Sequence, residues 1–116
     1  MTEMREPTFL ILSALADGPK HGYAIIQDAE AQSEGRVRLQ AGTLYAALDR
    51  LADEGLVVTT GEEVVAGRRR RYLGLTDDGA ATLEREAVRQ VASAKRALDR
   101  LRRTHRPATT NPAVAS

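Results

Sequence analysis

Four consecutive arginines, residues 68–71, are the strongest chemical signal in the sequence. A guanidinium presents a planar fork of donors that suits phosphate oxygens and the edges of bases. If this segment is a strand, alternation sends Arg69 and Arg71 to one side and Arg68 and Arg70 to the other. The pattern indicates an anionic partner for at least part of the cluster, and a solvated run of charge is the competing interpretation.

The charge of the whole chain is divided unevenly along it. Residues 1–67 hold five basic and eleven acidic side chains, a net charge of −6, and residues 68–116 hold twelve basic and five acidic side chains, a net charge of +7. This asymmetry favours an anionic partner for one surface. The alternative is that the basic half pairs with the acidic half, within one chain or across a dimer.

Most catalytic chemistries find no support among the 116 residues. Cysteine is absent, and His21 and His105 are the two histidines, which disfavours a metal cage or a catalytic triad. There is no nucleophile–base set and no glycine loop that would cradle a phosphate, so we predict a protein that is not an enzyme and needs no cofactor. The N-terminus lacks the pattern of a signal peptide and no apolar run is long enough for a membrane span, which predicts a cytoplasmic protein.

Periodicity and turn residues predict a mostly α-helical fold with a two-stranded β-wing. The glycine-bounded loop of the hairpin is expected at residues 61–67, and Thr76 is a candidate N-cap for the last helix. We expect a domain over residues 1–76, a long helix over 77–103 and a disordered tail over 104–116. The other predicted elements are helices near residues 8–16, 21–33 and 41–54, and strands over 56–60 and 68–75.

Apolar residues on the last helix recur at nearly heptad spacing, and the pattern misses one step at Glu84. A helix of this length has more apolar stripe than a small domain can cover, so we predict dimerisation through it. A solvated helix that packs on its own domain is the alternative. The predicted dimerisation residues are Leu83, Ala87, Val91, Ala94, Leu98 and Leu101.

Three helices followed by a hairpin are the layout of a winged helix-turn-helix, and local motifs narrow the assignment further. The sequence resembles the PadR family of transcriptional regulators in segments that fall in the same order. The resemblance implies a DNA-binding domain, a homodimer built through the C-terminal helix, repression of a neighbouring promoter and, in some members, release by a small-molecule effector. The segments are His21–Tyr23, Ala41–Leu51, Glu54–Val57, Gly67–Leu73, Leu75–Thr76 and Gly79.

This resemblance implies double-stranded DNA with two half-sites as the partner, and an effector, if there is one, at the dimer interface. A winged-helix adaptor that binds proteins and not DNA is the alternative function. The predicted DNA-binding residues are Tyr23, Arg38, Gln40, Thr43, Tyr45, Arg68, Arg69 and Arg70.

Each of these assignments has a structural alternative. Thr43 could cap the third helix, Tyr45 could pack on the first helix, and Arg38 could pair with Asp28 or Glu34. Arg69 and Arg70 are expected nearest the turn of the wing, where they would reach phosphates or a narrow minor groove. The sequence departs from the family pattern at Gln40, Ala41 and Ala46, where serine, proline and proline are common, and in the wing, which lacks a proline.

Overall fold

The computed structural model describes residues 4–105. The element order confirms the mostly helical fold with a β-wing and a long C-terminal helix. Of the predicted tail, only Thr104 and His105 lie within the described residues, and Thr104 still belongs to the last helix. The elements are α1 (Glu6–Ala14), β1 (Lys20–His21), α2 (Gly22–Gln32), α3 (Ala41–Asp53), β2 (Val57–Val65), β3 (Arg68–Leu75) and α4 (Asp77–Thr104).

The core forms where the apolar stripe of α3 meets α1, α2 and the sheet. Leu44, Leu48 and Leu51 of α3 are almost fully buried, as their spacing predicts. Ile11 of α1 and Ile25 of α2 belong to the same cluster, together with the strand residues Val57 and Leu73. The face of α3 opposite this stripe is left exposed, so the helix presents one side to solvent.

The wing is a longer and tighter hairpin than the sequence indicates. Strand β2 runs to Val65, and the expected loop over residues 61–67 is wrong, because only Ala66 and Gly67 form the turn. Both turn residues have positive φ, 52° and 76°, which is the type I′ geometry that matches the twist of a two-residue hairpin. Glu62 and Glu63 are therefore strand residues, although their polarity suggests a loop.

A third short strand completes the sheet. The sheet order is β1-β3-β2, and β1 pairs with β3 through Lys20 opposite Leu73 and His21 opposite Tyr72. The sequence predicted two strands, because a two-residue strand has no periodicity to detect. Through β1, the base of the wing is bonded directly to the residue that precedes α2.

The last helix begins at the N-cap predicted from the sequence. The Thr76 hydroxyl accepts a hydrogen bond from the Gly79 N–H at 2.9 Å and donates one to the Gly55 carbonyl at 2.6 Å. The chain divides into two compact units, Met1–Glu84 and Arg85–Ser116, so the first two turns of α4 belong to the first unit. No helix among residues 4–105 has the length and apolarity needed to cross a membrane.

Gly79 lies against the backbone of Leu56, and this contact generates a stability prediction. A Cβ at position 79 would lie 3.0 Å from the carbonyl carbon of Leu56 and even closer to its oxygen, whereas a Cβ at Gly42 would meet nothing within 4 Å. We expect Gly79→Ala to lower the free energy of unfolding by about 1–3 kcal/mol or more, because backbone has to move.

The matched control is Gly42→Ala, which adds the same methyl group in a helix and should leave stability unchanged or slightly raised. Urea denaturation followed by circular dichroism measures both variants. Equal midpoints for Gly79→Ala and the wild type would contradict the close approach of α4 to Leu56.

Candidate nucleic-acid interface

The start of α3 is open to solvent and is not capped by a side chain. Gln40 is the N-cap residue, yet its side chain makes no capping hydrogen bond, and it is exposed. Thr43 does not cap the helix either. The first N–H groups of α3 therefore have no side-chain acceptor, and they carry the positive end of the helix dipole. Both the Gln40 amide and these backbone donors can bind an external acceptor.

Tyr45 packs against the start of α2 and not against α1. Its ring lies over Gly22, where a Cβ would come 2.9 Å from the tyrosine Cζ and closer still to the hydroxyl oxygen. Any larger residue at position 22 would require the tyrosine ring to shift. Tyr45 remains 43% exposed and Tyr23, the residue after Gly22, is 64% exposed. The contact thus brings Tyr45 to the segment that carries Tyr23.

Thr43 lies on the opposite flank of α3, beside a groove with a volume of about 770 Å³. Ala46 and Arg50 line the same groove, and Met4 and Pro7 line it from the N-terminal side. Two neighbouring residues predicted to touch DNA, Thr43 and Tyr45, are therefore separated to the two sides of the helix. If α3 lay in a DNA groove, Thr43 and Tyr45 would therefore face its two opposite walls.

The arginines ahead of α3 have partners that differ from those considered in the sequence. Arg36 holds Glu6 through two hydrogen bonds, at 2.8 and 3.1 Å, and this pairing lowers the pKa of the Glu6 carboxyl. Arg38 lies 3.8 Å from Glu30, so neither arginine pairs with Asp28 or Glu34. The Arg38 side chain is 75% exposed, and its loose ion pair leaves it able to turn to another anion.

The arginine strand of the wing faces two carboxylates on β2. Glu62 lies opposite Arg71 and Glu63 opposite Arg70 in the register of the hairpin, and Glu62 is also 3.6 Å from Arg69. Glu62 and Glu63 were not among the residues predicted to shape the site. The signal that could have found them is the two-residue turn, since counting outward from Ala66–Gly67 gives these pairs. The carboxylates offset part of the positive charge of the wing.

Arg68 is the arginine nearest the turn, which corrects the expectation that Arg69 and Arg70 occupy that place. The reason is that β3 starts at Arg68, directly after the turn residues Ala66 and Gly67, so Arg69 and Arg70 lie one and two residues further along the strand. The Arg68 side chain makes no ion pair or hydrogen bond within the described part of the chain. Alternation places Arg68 and Arg70 on the same face of β3 as Tyr72.

A polar chain links this face of the wing to α2. The Tyr72 hydroxyl donates a hydrogen bond of 2.6 Å to Glu63, which raises the pKa of Tyr72. The Tyr72 ring packs edge to face on His21, with ring centroids 5.5 Å apart. His21 is the N-cap of α2 and accepts a hydrogen bond from the Ala24 N–H through Nδ1. The arginine strand and the start of α2 are therefore held together.

The predicted dimerisation residues fall into two groups. Leu83 packs against the core of the first unit. Among the others, Val91, Leu98 and Leu101 are 69%, 49% and 53% exposed in the single chain, and Ala94 is also exposed, while Ala87 is half-buried. The second unit therefore has an exposed apolar stripe. Leu83, in contrast, packs on the core of its own chain.

Comparison with known proteins agrees with this architecture. Residues 11–85 match the profile of the Transcriptional regulator PadR-like family. The transcriptional regulator Rv3488 of Mycobacterium tuberculosis is 38% identical over 84 residues, which cover 71% of this chain and 75% of that protein.

Two further proteins are similar over part of their length. An uncharacterized 37.1 kDa protein in transposon TN4556 of Streptomyces fradiae is 47% identical over 78 residues, 67% of this chain, and the match spans only 21% of that longer protein. The structure of Bacillus subtilis PadR in complex with operator DNA has the same fold, with a TM-score of 0.61 at 23% identity, covering 69% of this chain and 45% of that one.

The packing of Tyr45 on Gly22 can be tested by a double-mutant cycle. We expect Gly22→Ala to lower the free energy of unfolding by about 1–3 kcal/mol, because the new methyl group displaces the tyrosine ring. In a Tyr45→Ala background the same change should cost much less, and the coupling energy follows from urea denaturation of the four proteins. Additive effects of the two substitutions would show that the ring does not lie over Gly22.

Proposed function

The chain belongs to the PadR-like family of transcriptional regulators, which are not enzymes, and we propose that it binds operator DNA as a homodimer and represses the adjacent genes. A protein that acts on chromosomal DNA would work in the cytoplasm. The observation that carries the proposal is the chain of contacts that joins the start of α3, the start of α2 and the arginine strand of the wing.

Two contacts at neighbouring residues make this connection. Tyr45 of α3 lies over Gly22, and His21 packs on Tyr72 of the wing. Because Arg68 and Arg70 share the face of Tyr72, the arginines and the exposed end of α3 are anchored around the same two residues. Such a surface suits the helix-plus-wing docking of a winged helix, with α3 in the major groove and the wing on the backbone.

Within this proposal the residues divide by chemistry. Arg68 and Arg70 would contact phosphates and add affinity that depends little on sequence, because each neutralised phosphate releases counterions. Tyr23 and Arg38 would add backbone contacts through a hydroxyl and a guanidinium. Gln40, at the open end of α3, has an amide that can pair with a base edge, and it would contribute to sequence preference. The remaining predicted residues would add contacts at the edges of this surface; they are Thr43, Tyr45 and Arg69.

The uncovered apolar stripe of α4 supports the dimer. Val91, Leu98 and Leu101 are too exposed for a helix that ends its interactions within one chain. Two copies packed along this stripe would bury it and would carry two copies of α3, which could enter successive major grooves about 34 Å apart. A small molecule that binds a DNA-incompetent form of this dimer better than the competent form would release the operator.

The salt dependence of binding separates this function from that of a protein-binding adaptor. We expect the affinity for DNA from the upstream region of its own gene to fall log-linearly between about 50 and 200 mM salt. Replacing Arg68 and Arg70 by alanine should weaken binding to all sequences alike. The double replacement removes four phosphate contacts per dimer. It should therefore reduce the slope of log affinity against log salt concentration by roughly four, since each contact contributes about 0.9.

Fluorescence anisotropy with labelled duplexes measures both quantities. Arg96→Ala, an exposed arginine of α4, is the control and should leave the slope unchanged. Gln40→Ala should instead alter the preferred sequence. Binding that is insensitive to salt would favour the adaptor, and an unchanged slope in the wing variant would reject the role of Arg68 and Arg70.

The dimer is tested by placing charge in the stripe. We expect Val91→Asp with Leu98→Asp to give a monomer, because a paired helix would have to bury carboxylates. Ser93→Asp adds the same group at an exposed position away from the stripe and should remain dimeric. Light scattering coupled to size exclusion measures the mass, and a dimer that persists in the double variant would show that another surface holds the copies together.

A further inference from the structure

The exposed side of α3 carries a row of residues that the sequence analysis did not assign to DNA binding. Gly42, Ala46, Asp49 and Asp53 follow one another at steps of four, three and four residues, so they lie on one line of the helix. This line lies opposite the buried stripe of Leu44, Leu48 and Leu51, and all four of its residues are exposed. If α3 enters a groove as proposed, this line faces the base pairs.

The Asp49 carboxylate takes no part in holding the fold together. Within residues 4–105 it makes no hydrogen bond and no ion pair. Its neighbour Arg50 turns away from it, donating a hydrogen bond to Thr8 at 3.0 Å and lying 3.9 Å from Glu54. A carboxylate facing solvent from the middle of a DNA-binding helix weakens attraction to phosphates, so its presence there calls for a specific acceptor role.

The residues before Asp49 in the row are small enough to let it reach a base. Gly42 has no side chain and open space around the position of a Cβ, and Ala46 has only a methyl group. The backbone of α3 can therefore come close to the floor of a major groove about 8.5 Å deep. Asp49 is one turn further along the exposed row, so in such a groove its short side chain would end near the base edges.

We propose that Asp49 is a specificity-determining residue that accepts a hydrogen bond from the N4 amino group of one cytosine in each half-site. A carboxylate is only an acceptor, and cytosine offers a donor in the major groove with no acceptor on the same base. Guanine and thymine present acceptors that repel it, and adenine places the N7 acceptor beside its amino group. The inference rests on the proposed DNA binding and adds the base that α3 reads.

Selection of bound sequences from random duplexes tests this assignment in three variants. We expect Asp49→Ala to lose the preference for cytosine at one position of each half-site, with discrimination reduced about fivefold or more. Asp49→Asn should shift that position towards adenine, because a carboxamide pairs with both N6 and N7. Asp53→Ala is the matched control. Asp53 is the last residue of α3, one turn beyond Asp49 and furthest from the helix end that would enter the groove, so this change should leave every base preference unchanged.

A fourth variant tests the close approach itself. Ala46→Leu should hold the helix away from the bases, and it should remove the cytosine preference while the salt slope set by the wing is kept. The inference is overturned if Ala46→Leu keeps that preference, if Asp49→Ala tightens binding to all sequences equally, or if Asp53→Ala alters the preference instead. Wild-type protein that binds no duplex at all would reject the proposed function, and the assignment of Asp49 with it.

Discussion

The contact between Tyr45 and Gly22 is the constraint around which the rest of the binding surface is arranged. A glycine at the first position of α2 lets an aromatic ring of α3 lie against the backbone, whereas a Cβ there would force the ring to shift. The preceding residue, His21, caps α2 and packs on Tyr72 of β3. Two adjacent residues therefore position α3 on one side and the wing on the other. The buried stripe of α3 fixes the helix in the core, but this contact fixes which flank faces α2.

The glutamates of the wing stabilise the hairpin but compete with an external anion for its arginines. A two-stranded ribbon is marginal in water, and cross-strand pairs of opposite charge stabilise it by about 0.2–1 kcal/mol each. Glu62 makes such a pair with Arg69 at 3.6 Å, and Glu63 lies opposite Arg70 and accepts a hydrogen bond from Tyr72. The same carboxylates compete with an external anion. Arg68, beyond their reach, is consequently the arginine that a phosphate would meet with the least competition.

The two ends of the long last helix lie in different environments. Its first turns are fixed by the Thr76 cap, by the contact of Gly79 with Leu56, and by Leu83 against the core. Beyond Glu84 the helix belongs to the second unit, and its larger apolar residues Val91, Leu98 and Leu101 are exposed in the single chain.

The features that depend on local spacing could be predicted from the amino-acid sequence. The buried stripe of Leu44, Leu48 and Leu51, the Thr76 cap and the motifs of the family are all readable within a few residues of one another, and the structure and the comparisons confirm them. The contacts between residues of different elements could be known only from the way those elements pack. The pairing of glutamates with arginines follows from the two-residue turn of the hairpin. The two-residue strand β1 and the contact of Tyr45 with Gly22 depend instead on register between distant segments. No local period encodes such register, because it is set by the turn geometry and by packing on the shared core.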